Sequence, residues 1–148
     1  IQKSGLAYVK RTEQTALSGS TQVLLGDTMG EMMLLYGLSK VAFVGGSLVK
    51  HGGHNPLEPI AFELPVISGV YTYNFPEIFA KLAEVKGFVE VNSDTQSLVQ
   101  AVEFLLENRD ARKTIATAGF SVLQENQGAL ERHLALLAPY LEKNNERN

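Results

Sequence analysis

No cysteine occurs among the 148 residues. That absence excludes a thiol nucleophile, thiolate metal ligands and a disulfide framework, and it permits a reducing compartment without proving one. Positive charge is also scarce. The 13 Lys and Arg are outnumbered by 16 Asp and Glu, the formal net charge is −3, and no basic block stands out along the chain. A polynucleotide partner needs a concentrated basic face, so nucleic acid is not an expected ligand. No apolar run approaches the roughly 18 residues of a membrane span, and no signal-peptide pattern opens the sequence. What is present is ordinary: 45% hydrophobic and 20% charged residues, as in a soluble globular protein. The length suits a single domain over residues 1–148, large enough to bury a core without metal or disulfide staples. The opening Ile1-Gln2-Lys3-Ser4-Gly5 reads as the last turn of a helix, a basic residue followed by a glycine cap. With the start of that helix missing, the expectation is a piece of a longer protein.

Short apolar runs alternate with helical patterns. Strands are expected at Leu6–Val9, Gln22–Leu25, Val41–Val44, Pro65–Ile67 and Phe88–Val91, with a loop over Lys10–Ser20. Helices are expected over 29–39, 56–63 and 75–85, then over Thr95–Glu107, 109–123 and 127–138, where apolar residues recur at helical spacing. Alternating strands and helices predict an α/β fold: a Rossmann-like parallel sheet with helices on both faces and extra helices at the C-terminus. The strand runs are uniformly apolar, as strands buried on both faces should be. Ligands of such sheets bind beyond the carboxyl ends of the strands, which directs attention to loops 26–31, 45–55 and 68–76.

The first loop, Gly26-Asp27-Thr28-Met29-Gly30-Glu31, has the T-x-x-E spacing of a capping box. Two readings stand: a plain capped helix, or a helix start whose free N–H groups attract an anion, with Gly30 allowing close approach. Met29, Met32 and Met33 are expected in the core or lining a pocket.

The second loop runs from Gly45 to Pro59 and places four glycines in nine positions after a strand. It is neither a P-loop nor the dinucleotide G-x-G-x-x-G pattern. Asn55 has the position of a helix cap with Pro56 after it, although Pro59 lacks an N–H and makes the first turn irregular. Such a loop suits a phosphate or nucleotide, and a surface loop without ligand is the competing reading. His51, His54 and Glu58 do not form a recognisable zinc pattern, and a flexible loop is a poor frame for coordination, so no metal is expected. Either histidine suits donation to a phosphate or carboxylate, with packing or hydrogen bonding within the loop as the competing reading; Lys50 reads as a solvated lysine. Ser47 has no neighbouring base in sequence and is not read as a nucleophile. In the third loop, Asn74 and Glu77 again have capping spacing: Asn74 is either an N-cap, with Tyr73 and Phe75 packing, or a side chain facing a ligand.

Taken together, Gly26–Tyr36 (GDTMGEMMLLY), Val44–Glu58 (VGGSLVKHGGHNPLE), Tyr73-Asn74-Phe75 and Asn126-Gln127-Gly128-Ala129 resemble the C-terminal half of the bacterial 3-deoxy-D-manno-octulosonic acid (Kdo) transferases. The resemblance spans nearly the whole chain in order, and its first two motifs are long and specific. Gly53–Val66 alone points only to two-domain (GT-B) glycosyltransferases in general.

The resemblance implies a donor-binding domain for CMP-Kdo, the donor half of an inverting, metal-independent enzyme with no further cofactor that places Kdo on the lipid A precursor. Met29, Gly30 and Glu31 match the family's first CMP-contacting stretch, and Asn55, Pro56, Leu57 and Glu58 match the second. Glu58 is expected to hold the ribose hydroxyls, and Glu31 to bond ribose or base or to keep its own helix cap. Ser47, Gly52, Gly53, His54 and Asn74 are the candidate phosphate or sugar contacts. A further Arg-containing contact is expected before Ile1. The catalytic base, acceptor site and membrane-facing surface are implied in an N-terminal domain outside this chain, so the chain alone is expected to bind donor without transferring it. The full-length protein is expected at the cytoplasmic face of the inner membrane, this piece being soluble. Two helix starts aimed at the departing CMP phosphate are expected to offset its charge. The alternatives are the donor domain of another GT-B transferase and a non-catalytic nucleotide- or phosphate-binding module.

Overall fold

The computed structural model describes residues 1–125. The chain divides into two compact units, Ile1–Leu38 and a second beginning at Ser39, and each is described by itself.

In the first unit a 3-10 turn over Gln2–Ser4 closes at Gly5, whose φ of 71° is the left-handed cap expected of glycine. Strand β1 (Tyr8–Lys10) pairs in parallel with β2 (Val23–Leu25), Tyr8 opposite Val23 and Lys10 opposite Leu25. Neither strand is fully buried, and Leu24 and Leu25 are both exposed. The uniformly apolar runs predicted burial on both faces; this two-stranded ladder does not provide it. A second 3-10 turn, Arg11–Glu13, follows β1 directly. Helix α1 (Met32–Leu38) begins at Met32 and not at residue 29, because Gly30 takes a left-handed φ of 81° through which a right-handed helix cannot run.

In the second unit β3 (Ala42–Val44), β4 (Val66–Gly69) and β5 (Val89–Val91) form a parallel sheet in the spatial order β3-β4-β5. Phe43 lies opposite Ile67, and Ile67 opposite Val89. Central β4 is buried throughout. Its successive residues serve two cores. Val66 packs with Val44, Ile60, Phe79, Leu82 and Val122, while Ile67 packs with Val91, Ala101 and Leu105. Successive strand residues point to opposite faces, so this strand is covered on both, as its sequence predicts.

The helices covering the sheet are α2 (Leu57–Ile60), α3 (Pro76–Glu84), α4 (Thr95–Glu107) and α5 (residues 109–125). Helix α4 has the predicted bounds. Asp94 caps it by accepting from the Ser97 N–H at 2.7 Å. Helix α2 is shorter than the predicted 56–63, since Glu63 turns left-handed (φ 52°) and the Leu64 N–H returns to the Pro59 carbonyl. No helix of the described residues is long and apolar enough to cross a membrane. The expected helix over 127–138 and the motif Asn126-Gln127-Gly128-Ala129 lie outside the described residues.

Candidate functional site

In the second unit the carboxyl ends of β3 and β4 release two loops, 45–55 and 70–75, which are tied together from below. Ser47 is fully buried. Its hydroxyl donates to the Val44 carbonyl at 2.6 Å and accepts the Gly69 N–H at 2.8 Å. The Tyr71 N–H donates to the Ser47 carbonyl at 3.0 Å, and that carbonyl packs where a β-carbon on Gly69 would sit. The Ser47 side chain therefore holds the base of the loop. The hydroxyl is enclosed and engaged as both donor and acceptor, which makes Ser47 a positioning residue for the loop.

Asn74 ties the same loop from its other side. Its Nδ2 donates to the carbonyls of His51 and Gly53, both at 3.1 Å, and its backbone N–H donates to the Gly52 carbonyl at 3.0 Å. The Gly53 N–H closes the loop onto the Gly46 carbonyl at 3.0 Å. Gly46, Gly52 and Gly53 have φ of 71°, 91° and 73°, and Gly52 and Gly53 are buried. The N-cap reading of Asn74 is corrected: α3 is capped at Phe75 without a side-chain bond, Pro76 takes the first helical position, and the Asn74 amide is occupied by the glycine loop. Phe75 packs on the core as expected, but Tyr73 is exposed.

The loop presents three side chains. His51 and His54 are exposed, with ring centroids 6.3 Å apart, and both rings lie against Gly46. Neither imidazole has a hydrogen-bond partner among the described residues. The third is Glu58, half-buried in the first turn of α2, whose carboxylate has no partner among the described residues either. Asn55 Oδ1 accepts the Leu57 N–H at 3.0 Å, relieving one of the orphan donors at the start of α2, while the helix cap falls on Pro56, one residue later than predicted. No group of three metal-ligating side chains occurs among the described residues.

In the first unit the segments after β1 and β2 are laced together. Arg11 grips Glu31 bidentately, Nε to Oε2 at 3.0 Å and Nη2 to Oε1 at 2.8 Å. The Thr28 hydroxyl donates to the same Oε2. Asp27 accepts the Thr12 N–H at 2.9 Å and the Thr12 hydroxyl at 2.7 Å. The Thr28 hydroxyl foremost, then the Arg11 guanidinium, hold the Glu31 carboxyl below its ordinary value. The Thr12 hydroxyl and N–H do the same for Asp27. The predicted capping box is not formed: the Glu31 carbonyl accepts the Leu35 N–H at 3.2 Å, which makes Glu31 itself the helix cap. Met29 is 97% exposed and Met32 and Met33 are exposed too, so the core placement of these methionines is corrected. Sequence reasoning misses Arg11; the available signal is its position just beyond β1, where ligands of such sheets gather.

Both helices following the candidate loops are short, α1 with seven residues and α2 with four. The expected contribution of helix dipoles is small accordingly.

A family model also matches the sequence of this chain. The model for glycosyl transferases group 1 matches residues 5–122. The chain belongs to that family. Among its relatives is the 3-deoxy-D-manno-octulosonic acid transferase of Haemophilus influenzae, 56% identical over 97% of this chain and 34% of the relative. The enzyme of the same description from Bordetella pertussis is 34% identical over 95% of the chain and 33% of the relative. The chain thus spans about a third of the length of these curated relatives. Among solved structures it is similar to the C-terminal CMP-Kdo binding domain of WaaA from Acinetobacter baumannii, with TM-score 0.79 and 35% identity over 83% of this chain and 64% of that one.

Proposed function

We propose that this chain is the donor-binding part of a Kdo transferase and holds CMP-Kdo. The observation that carries the reading is the glycine loop pinned by Ser47 and Asn74, which leads into a helix start carrying the unpartnered carboxylate of Glu58. The likeness to the Haemophilus enzyme along 97% of the chain, and to a solved domain described as binding CMP-Kdo, supports that ligand.

A carboxylate offers two acceptor oxygens, which suits the two hydroxyls of a ribose; Glu58 takes that role. Asn55, Pro56 and Leu57 shape its approach. Gly52 and Gly53 bring main chain close to the phosphate or sugar, and His54 donates to it from the loop rim. Met29, Gly30 and Glu31 are assigned to the nucleotide as well, with Glu31 sharing its carboxylate between ligand and Arg11. When the bond from Kdo to phosphate breaks, charge grows on the departing CMP. Loop N–H groups held in place favour that charge without having to reorganise, and the His54 imidazole adds a donor from the rim.

On this reading transfer proceeds with inversion and without a metal or other cofactor. The catalytic base, the lipid A precursor and the membrane-facing surface belong to another part of the protein, at the cytoplasmic face of the inner membrane. This chain alone binds donor and transfers nothing. The test is an NMR titration of the protein with CMP and, separately, UDP. The expected result is shifts clustered at 29–31 and 52–58 with CMP and weaker ones with UDP. Equal or stronger response to UDP would replace CMP-Kdo by another nucleotide sugar. No response to either nucleotide at millimolar concentration sinks the donor reading.

A further inference from the structure

The end of the second sheet opposite the glycine loop carries a cavity of about 410 Å³. Lys40 stands just before β3, Glu63, Leu64 and Pro65 just before β4, and Arg109, Arg112, Lys113 and Thr117 along the start of α5; all line this cavity. The strands separate it from loop 45–55 by about 10 Å of extended chain.

Four of the chain's 13 basic residues converge there, against one carboxylate, Glu63. A chain of net charge −3 has gathered them from two distant stretches of sequence. The side chains of Lys40, Arg109 and Lys113 have no hydrogen bond or ion pair among the described residues. Arg112 is different. Its Nη1 donates to the carbonyls of Leu105 and Leu106, the latter at 2.7 Å, which fixes the guanidinium at the end of α4. The pocket therefore has one immobilised cation, three free ones and the Thr117 hydroxyl as a neutral donor. Like charges held together around a hollow repel one another, and an anion bound among them removes that cost.

We propose that this pocket is a second anion site and binds a phosphate group, separately from the nucleotide-sugar site. Its volume is in the range of small-molecule pockets. Mixed Arg and Lys donors suit a tetrahedral oxyanion, Arg through paired N–H groups and Lys as a point charge. The phosphate comes either from a soluble phosphate compound or from a lipid headgroup, and the chemistry in the pocket is the same for both.

The test uses inorganic phosphate titrated into the protein at constant ionic strength, followed by amide NMR. Shifts are expected at 39–40, 63–65, 109–113 and 117, and not at 45–55. The double variant Lys40→Gln/Lys113→Gln should weaken phosphate binding by about tenfold or more, at roughly one charge-assisted contact per lysine. Lys40→Arg/Lys113→Arg should retain it. Both lysines are exposed, so an unchanged circular dichroism spectrum is the folding control. A flotation arm compares phosphatidylcholine vesicles with and without phosphatidic acid. Flotation that needs phosphatidic acid and both lysines assigns the phosphate to a lipid. Phosphate shifts without flotation assign it to a soluble compound. The proposal is overturned if phosphate produces no shift there and flotation is lysine-independent or absent, or if the Gln variant responds like the parent. Either failure leaves the CMP titration at residues 52–58 untouched, so the two readings stand or fall apart.

Discussion

The side-chain amide of Asn74 fills the space that a β-carbon on Gly52 would occupy. The same amide is fixed by two bonds to the loop it fills, through the His51 and Gly53 carbonyls. Gly52 also has φ 91°, where an L side chain is strained. Gly52→Ala therefore meets both a clash and an unfavourable backbone, and should destabilise the protein by about 1–3 kcal/mol in urea denaturation. It should also weaken CMP binding, because the loop must shift. A Gly52→Ala protein with parental stability and CMP affinity would show that the loop is not held in this conformation.

Ser47 gives a second, separable measurement. Ser47→Ala removes the bond to the Val44 carbonyl and leaves the buried Gly69 N–H without its acceptor. An unsatisfied buried donor costs about 1–3 kcal/mol. The expected outcome is a loss of that size in urea unfolding. Because Asn74 still holds the far side of the loop, the loss of CMP affinity should be smaller than for Gly52→Ala.

The parts of this fold that could be read from sequence are those with local causes. Thr95–Glu107 shows as a helix because its cap, Asp94, and its apolar stripe lie within the segment. Val66 and Ile67 show as a buried strand because both faces need apolar residues. The errors arise where a distant partner decides. Asn74 and Glu77 have capping spacing, yet the amide goes to a loop about twenty residues earlier in sequence. Thr28 and Glu31 have it too, yet Arg11 takes the carboxylate. The placement of Met29 failed for another reason: apolar character was read as burial, in a segment where Gly30 turns the chain before the helix begins. The loops that carry the candidate site were legible as glycine and helix-start signals; what shapes them, Ser47 and Asn74, acts across the sheet.

The Arg11–Glu31 pair makes a pH prediction whose sign follows from its direction. The native Glu31 carboxyl is held below its ordinary value by the Thr28 hydroxyl and by Arg11. A depressed carboxylate stabilises the fold in full above its unfolded value, about pH 4.3, and the contribution is lost as pH falls through the lower native value. Asp27, depressed by Thr12, acts in the same direction. Arg11→Gln should raise the Glu31 titration midpoint, read from its side-chain carboxyl carbon by NMR, while Asp27 stays put. A Glu31 midpoint that does not move in Arg11→Gln would mean that the ion pair is absent in solution.

Glu58 is the sharpest test of the donor reading. Its carboxylate has no partner among the described residues, so Glu58→Gln removes charge without orphaning a protein group. Stability should change by less than about 0.5 kcal/mol, as for a surface substitution. CMP affinity should fall by about 1–3 kcal/mol if ribose hydroxyls bond to the carboxylate. 2′-Deoxy-CMP should lose less affinity than CMP on going from parent to variant, because one of the two hydroxyl contacts is already gone. Equal loss of CMP and deoxy-CMP affinity in Glu58→Gln would place the residue away from the ribose.

Gly119 tests packing with a sign that propensity alone predicts wrongly. It lies inside α5, where alanine normally gains about 1 kcal/mol over glycine. Here, however, a β-carbon on Gly119 would stand 2.8 Å from the Gly87 carbonyl oxygen, and one on Gly87 would stand 2.7 Å from the Gly119 α-carbon. Both obstacles are backbone, so no rotamer relieves them. Gly87 is itself fixed, its N–H bonded to the Leu82 carbonyl at 2.7 Å in the turn that delivers the chain to β5. Helix and turn touch through two glycines, and separating them would also lift Val122 and Ile60 from their shared core. Overpacking of this kind costs about 1–3 kcal/mol, which exceeds the propensity gain. Gly119→Ala should therefore lower the urea midpoint, and Gly87→Ala should do the same; a higher midpoint in Gly119→Ala would mean that α5 does not sit against the turn before β5.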